Sequence, residues 1–324
     1  MTSSAEAIGK LKHVGFAQKD IDKALRGEVV RFAMETLTER ELAVAFAVVI
    51  QKTTDELETM FLENLGKEES DEMLQQLVNQ NDDDDGSLDF SLVKFLPPSS
   101  EKDMVAAYVD PKSGGANELN LSADEWVSFR ALDKKTATVS QVEEILRTVL
   151  AKRLELYRQK GLEGIPPYQR KGGKSFDSGK ELLERCQKLT IIRKIAPEIV
   201  QYMQDYPNSK PTTGVVKESF SWMNYNIDEK PTFCLVHKVT WKRPDIVILF
   251  HRHFYVSRGH NSVQAVGGGQ PLDDDATLVC FSCRTSTDQV AGFGGSAKRA
   301  LGSRIMGEKL ANNLSSLKKS IEKE

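Results

Sequence analysis

The densest hydrophobic patterning in the chain lies between Glu218 and Arg284, where runs rich in aromatic and β-branched residues follow one another. Turn chemistry at Asp228 to Pro231 and at Lys242 to Asp245 separates the first run from the second and the second from the third. That predicts a β-meander. A Gly-rich loop then leads to a last strand in DDDATLVCFSCR. Upstream, VVRFAM (29–34) and ELAVAFAVVIQ (41–51) predict two more strands. The second is almost continuously apolar, so it is expected to be buried on both faces or paired centrally. SLDFSL (87–92) also alternates as a strand does.

Between these runs the period changes from strand-like to helical. AQKDIDKALRGE (17–28) predicts a short helix with Asp20 as cap and Gly27 as stop. Thr53 and Glu56 have capping-box spacing and open a helix with Leu57, Met60, Phe61 and Leu65 on one face, ended by Gly66. Ser122 with Glu125 is a second box. Ser140 with Glu143 reads as a third, opening a long helix in which Val142, Ile145, Leu146, Val149, Leu150 and Tyr157 recur at helical spacing until Gly161. KELLERCQKL and PEIVQYMQDY predict two further helices, the latter with Pro197 in its first turn. At the end of the chain Leu301, Ile305, Met306, Leu310, Leu314, Leu317 and Ile321 form one apolar stripe. Such a helix must lie on something apolar, and the sheet is the obvious partner. The expected fold is therefore α+β: an antiparallel curved β-sheet gripping a long C-terminal amphipathic helix, with a large helical insertion. We read a single domain over 1–324, made of first strands and helix (28–96), a mainly helical insertion (103–206), the meander (215–284) and the C-terminal helix (290–322).

Composition narrows the function classes. The chain has 324 residues, 40% hydrophobic and 28% charged, enough for a substantial core. A net charge of −3 and a pI near 6.1 argue against a nucleic-acid partner. No apolar run is long enough to predict a membrane span, which leaves transient membrane contact open. MTSSAEAIGKLKHVGF lacks an apolar h-region, so a cytoplasmic location is expected, with a removed transit peptide as the alternative. Four cysteines without a secretory signal fit free thiols in a reducing compartment. Residues 54–89 carry thirteen Asp and Glu against Lys67 alone, which predicts a solvated acidic face. Within it, NDDDDGSLDFSL resembles a calcium-binding loop, but the twelfth position is Leu92 where a bidentate carboxylate is required, so no calcium site is expected. GGKS near residue 172 follows PPYQR rather than a strand, which excludes a phosphate-binding loop.

Candidate chemistry concentrates in the meander. His251 and His253 are two apart on one strand and share a face with Tyr255, while Phe250, Arg252 and Phe254 take the other. His237 lies on the neighbouring strand. If it shares that face, the set resembles zinc ligands, and a register slip of one residue puts it on the opposite side. Phe220 and Trp222 share a face with Tyr225 opposite. Cys280 and Cys283 point to opposite faces and read as small core residues. Arg284 ends the last strand. Free N–H groups near Gly292 to Ser296 could hold an anion, but those glycines more simply allow close approach of helix to sheet. No nucleophile–base arrangement or carboxylate pair stands out, so no catalytic residue, metal or cofactor is assigned.

The order of an apolar strand (Leu42 to Ile50), a capped helix at once, antiparallel strands and a long C-terminal helix resembles the START-like, or Bet v 1-like, helix-grip superfamily. AVAFAVVIQKTTDELETMF carries the resemblance most directly. The helical stretch before the meander is a departure, as is Lys52-Thr53-Thr54 where a proline-containing turn is usual. RTSTDQVAGFGGSAKR is similar to stretches of bacterial proteins without an assigned activity. The resemblance implies an apolar cavity between sheet and helix holding a lipid-, sterol- or pigment-like molecule, with Trp222, His237, His251, His253, Tyr255 and Arg284 as candidate groups in or near it. An enzyme using His237, His251 and His253 as metal ligands or acid–base groups is the first alternative. An interaction protein using the acidic 54–89 surface is the second.

Overall fold

A computed structural model of the chain describes residues 9, 12, 17–32, 34–64, 73–79, 88–110, 119–272 and 275–322. Its strands are β1 (Val30–Phe32), β2 (Glu41–Ile50), β3 (Met73–Asn79), β4 (Tyr168–Gln169), β5 (Ser175–Phe176), β6 (Val215–Ile227), β7 (Lys230–Arg243), β8 (Ile246–Val256), β9 (Ser262–Pro271) and β10 (Thr277–Ser286). Its helices are α1 (Gln18–Leu25), α2 (Thr54–Asn64), α3 (Glu101–Val109), α4 (Ala123–Arg130), α5 (Val139–Lys160), α6 (Ser178–Gln187), α7 (Thr190–Ile195), α8 (Pro197–Asp205) and α9 (Gly295–Ile321). Eight strands form one sheet in the order β1-β2-β10-β9-β8-β7-β6-β3, and β4 pairs with β5 as a separate ribbon. Every pairing is antiparallel. The α+β expectation, with a C-terminal helix on the sheet, holds. No helix among the described residues is long and apolar enough to cross a membrane.

The sheet separates two layers. One face, here called the helical face, takes α3 to α8 and carries the main core, in which Val142, Leu146, Leu150 and Tyr157 of α5 meet Phe220, Leu235, Val239, Phe250 and Phe254. The opposite face takes α9, whose Met306, Leu310 and Leu314 cover Val44, Phe46, Ala265 and Cys283. The helix sits close to β2: a Cβ on Gly302 would lie 3.0 Å from a Leu42 methyl. Only part of the expected apolar stripe is used, because Leu301 and Ile305 are half exposed.

Local chemistry accounts for most element boundaries. Thr53 Oγ1 accepts from the Glu56 N–H while Glu56 accepts from the Thr53 N–H, so the box opens α2. Ser122 and Glu125 do the same for α4. The long helix starts differently from expectation: Thr138 and Gln141 form its box, and Glu143 instead accepts the Phe95 N–H. Asp20 lies in the first turn of α1, whose flanking residue Ala17 makes no side-chain cap. Asp228 and Glu229 adopt positive φ in the β6–β7 hairpin, the backbone a tight right-twisted turn requires.

Two expected conformations are overturned. The described part of SLDFSL, residues 88–92, is not a strand: the Asp89 carboxylate accepts the Ser91 N–H and the Phe90 carbonyl accepts the Val93 N–H, closing a turn that buries Leu88 and Phe90 and exposes Leu92. The Gly-rich loop is β9, an interior strand. Gly268 and Gly269 leave room for the side chains of Ile248 and Val247, which would lie 3.1 and 2.9 Å from an added Cβ. The acidic run 82–85, the loop-like positions 81–87 and Leu65 and Gly66 fall outside the described residues.

Candidate ligand-binding site

The strand register decides which candidate residues meet. His237 pairs with Arg252 across β7 and β8, so it shares Arg252's face and not that of His251 and His253. Tyr255 also leaves the histidine face. Val236 pairs with His253 and Leu235 with Tyr255, which makes Phe254 the extra residue of a β-bulge and turns Tyr255 onto the helical face. There the Arg153 guanidinium lies 4.2 Å from the Tyr255 ring centroid. Trp222 is also on the helical face, its indole donating to the Asp89 carbonyl at 2.9 Å. Arg284 donates to Glu41, which also accepts from Arg185 of α6. The six candidates thus divide, with Trp222, His237, Tyr255 and Arg284 under the helices and His251 and His253 on the other face.

The helical face assembles a polar cluster around His237. This imidazole is fully buried, stacked on Phe220 at 4.6 Å between centroids and flanked by Tyr206 at the same distance. Its Nδ1 is 2.9 Å from Tyr157 Oη, and that hydroxyl accepts from Arg252 at 3.0 Å. A hydroxyl already accepting from a guanidinium turns its own proton toward Nδ1, which places the ring proton on Nε2. Nε2 in turn lies 3.4 Å from Glu218 Oε2. Tyr202 donates to Glu218 Oε2, and the Tyr206 hydroxyl is 3.5 Å from Glu218 Oε1.

Electrostatics fixes the protonation states. Burial pulls His237 below its ordinary value, and the attraction of Glu218 only partly offsets it, so the ring is neutral at pH 7. Burial alone would raise Glu218, but His237 and Tyr202 outweigh it and hold the carboxyl below its usual range. Burial and the Glu218 charge push both Tyr202 and Tyr206 well up, so both phenols stay protonated and can donate. Glu218, with its side chain 24% exposed, is the member of the pair that a ligand could approach.

Tyr206 connects this cluster to a groove of about 510 Å³ between the turn at 88–92 and α5, lined by Leu88, Phe90, Leu154, Arg158 and Tyr206 among others. Tyr206 owes its place to Gly161 just beyond α5. Gly161 has φ +59°, and a Cβ there would lie 1.8 Å from the Tyr206 carbonyl oxygen, so any side chain would drive the two segments apart. The groove lies across the sheet from α9, not between the sheet and that helix.

No family model matches the chain. No curated protein matches it in sequence. Glu218, Tyr157, Tyr202 and Tyr206 are the residues sequence reasoning missed as site members. Tyr157 stood in the apolar stripe of its helix, and nothing in the pattern separates a tyrosine that packs from one that also bonds a buried imidazole.

Proposed function

We propose that this protein binds an apolar small molecule bearing a polar end, with the apolar body against Leu88, Phe90 and Leu154 and the polar end at Tyr206 and Glu218. The observation that carries this reading is the groove itself. Its volume is in the range of small-molecule sites, its walls are largely apolar, and a tyrosine at its wall contacts an ionised, partly exposed carboxylate. A hydroxyl or amine on the ligand suits that acceptor. A lipid-, sterol- or pigment-like molecule, the ligand class that a START-like relationship would imply, has this character.

Binding is favoured over catalysis by the state of the polar pair. A carboxyl held below its usual range is a weak base, and His237 is buried out of a ligand's reach. His237 therefore serves as a positioning residue for Glu218.

The test is mass spectrometry of an organic extract of the full-length protein, paired with titration by N-phenyl-1-naphthylamine, an uncharged apolar fluorophore. Ala151 is exposed on α5 and lines the groove, so Ala151→Trp fills space without touching the core. Wild type should release one apolar species per chain and bind the fluorophore. The variant should hold at least tenfold less of either. An extract without a stoichiometric molecule, together with equal fluorophore binding by both proteins, would sink the reading.

A further inference from the structure

The second inference comes from the other face of the sheet and does not depend on the groove. Cys234 of β7, His253 of β8 and His260 of the β8–β9 loop each place a ligand atom within 4.8 Å of the other two. We propose that these residues bind a borderline-soft divalent cation, zinc foremost.

The topology makes the cluster. Cys234 pairs with Val256 and His253 with Val236 on adjacent strands, so thiol and imidazole emerge on one face near the end of the β7–β8 ladder. The chain then turns at Ser257 to Asn261, where His260 comes back over that end. Its imidazole centroid is 6.4 Å from that of His253. The loop is held in place by Asn120, which donates to the Val256 and His260 carbonyls at 2.8 and 2.7 Å. Cys234 and His253 are buried and His260 is partly exposed, which gives an ion a way in.

The donors are in the state a metal needs. His253 Nδ1 and His260 Nε2 are buried without a hydrogen-bond partner, an arrangement that is costly unless something else occupies the lone pair. Burial, with the repulsion of His260, pulls His253 down to about 3, and burial with the charge of Arg185 pulls His260 down to about 4. Both rings are thus neutral at pH 7. Cys234 is in no disulfide. Zinc bonds of roughly 2.0–2.1 Å to nitrogen and 2.3 Å to sulfur put tetrahedral donors about 3.3–3.8 Å apart, so rotamer changes of about 1 Å close the site. A thiolate with two imidazoles and no carboxylate selects against calcium and magnesium. Three protein ligands leave a fourth position. His251, whose ring centroid is 4.9 Å from that of His253 and whose Nε2 is also buried and unmet, is the next donor along. Binding converts the Cys234 thiol to thiolate and releases its proton to solvent.

Cobalt(II) is the probe, added alone to the full chain after chelator treatment and dialysis. Expected are one equivalent bound, the visible bands of tetrahedral cobalt and a near-ultraviolet thiolate-to-cobalt charge-transfer band. Zinc should displace it. Cys234→Ser should abolish the charge-transfer band. His260→Gln alters a partly exposed loop residue, should keep the wild-type far-ultraviolet circular dichroism, and should weaken cobalt binding at least tenfold. Failure of the wild type to take up cobalt, uptake without the charge-transfer band, or wild-type binding by His260→Gln would each overturn the proposal. If Cys234→Ser does not fold, the wild-type band and the His260→Gln titration decide the matter alone.

Discussion

Arg252 and its two neighbours in sequence show the contrast between the faces of the sheet. Arg252 is fully buried, yet its guanidinium donates to Tyr157 Oη, the Met203 carbonyl, Cys186 Sγ and Gln264 Oε1. One residue either side, His251 Nε2 and His253 Nδ1 face the other way, equally dry and without partners. Both faces contain buried polar groups; around Arg252 the guanidinium finds its acceptors within the chain, although His237 Nε2 and Gln264 Nε2 of the same cluster make no hydrogen bond. A satisfied network fixes one packing and a register. Unmet lone pairs point instead to a group from outside.

Substitutions at these positions test the contrast directly. Arg252→Leu strands several acceptors and should lower unfolding free energy by about 3–5 kcal/mol in urea denaturation. Tyr157→Phe removes the hydroxyl between Arg252 and His237 and should cost about 1–3 kcal/mol by the same measurement. His237 gives a pH signature. Its folded value lies below the ordinary one, so its contribution is complete above about pH 6.5 and is lost as pH falls from there toward the lowered folded value. Between pH 7.5 and 5.5 the wild type should therefore lose more stability than His237→Gln, measured by urea denaturation at the two pH values. The smallest effect belongs to the other face. His251→Leu removes a buried ring nitrogen with no partner and should change metal-free stability by no more than about 0.5 kcal/mol. A His251→Leu cost as large as that of Arg252→Leu would erase the distinction between the faces.

The fold was largely legible in sequence wherever chemistry is local. The Thr53 and Ser122 boxes, the turns at Asp228 and Lys242, and the apolar β2 all behave as their residues dictate. The misreadings are non-local. Gly267 to Gly269 look like a loop because glycine reports only a lack of side chain, and for Gly268 and Gly269 the reason for that lack sits on Ile248 and Val247 of the next strand. The candidate site was less legible still. Alternation placed His251 and His253 together, but a bulge at Phe254 removed Tyr255, and the register, which no single strand encodes, set His237 beside Arg252. Glu218 and Cys234 carried no sign of their neighbours at all. The expectation that drew Trp222, Arg284 and the histidines into one cavity assumed one face where the sheet uses two.

The pairing of β2 with β10 also sets a timetable. β2 is an early, highly apolar strand, and its Glu41 is tied to Arg284, 243 residues further along the chain. At translation speeds of roughly 5–20 residues per second, an emerging β2 waits on the order of 10–50 seconds for its partner strand to be made. Throughout that interval AVAFAVVI has an open edge, and its faces have only the short α1 and α2 to cover them through Ile21, Ala24 and Leu57, features that invite association with other chains. This protein should therefore depend on chaperones during synthesis more than its finished structure would suggest, and most heavily in the interval before residue 286 leaves the ribosome.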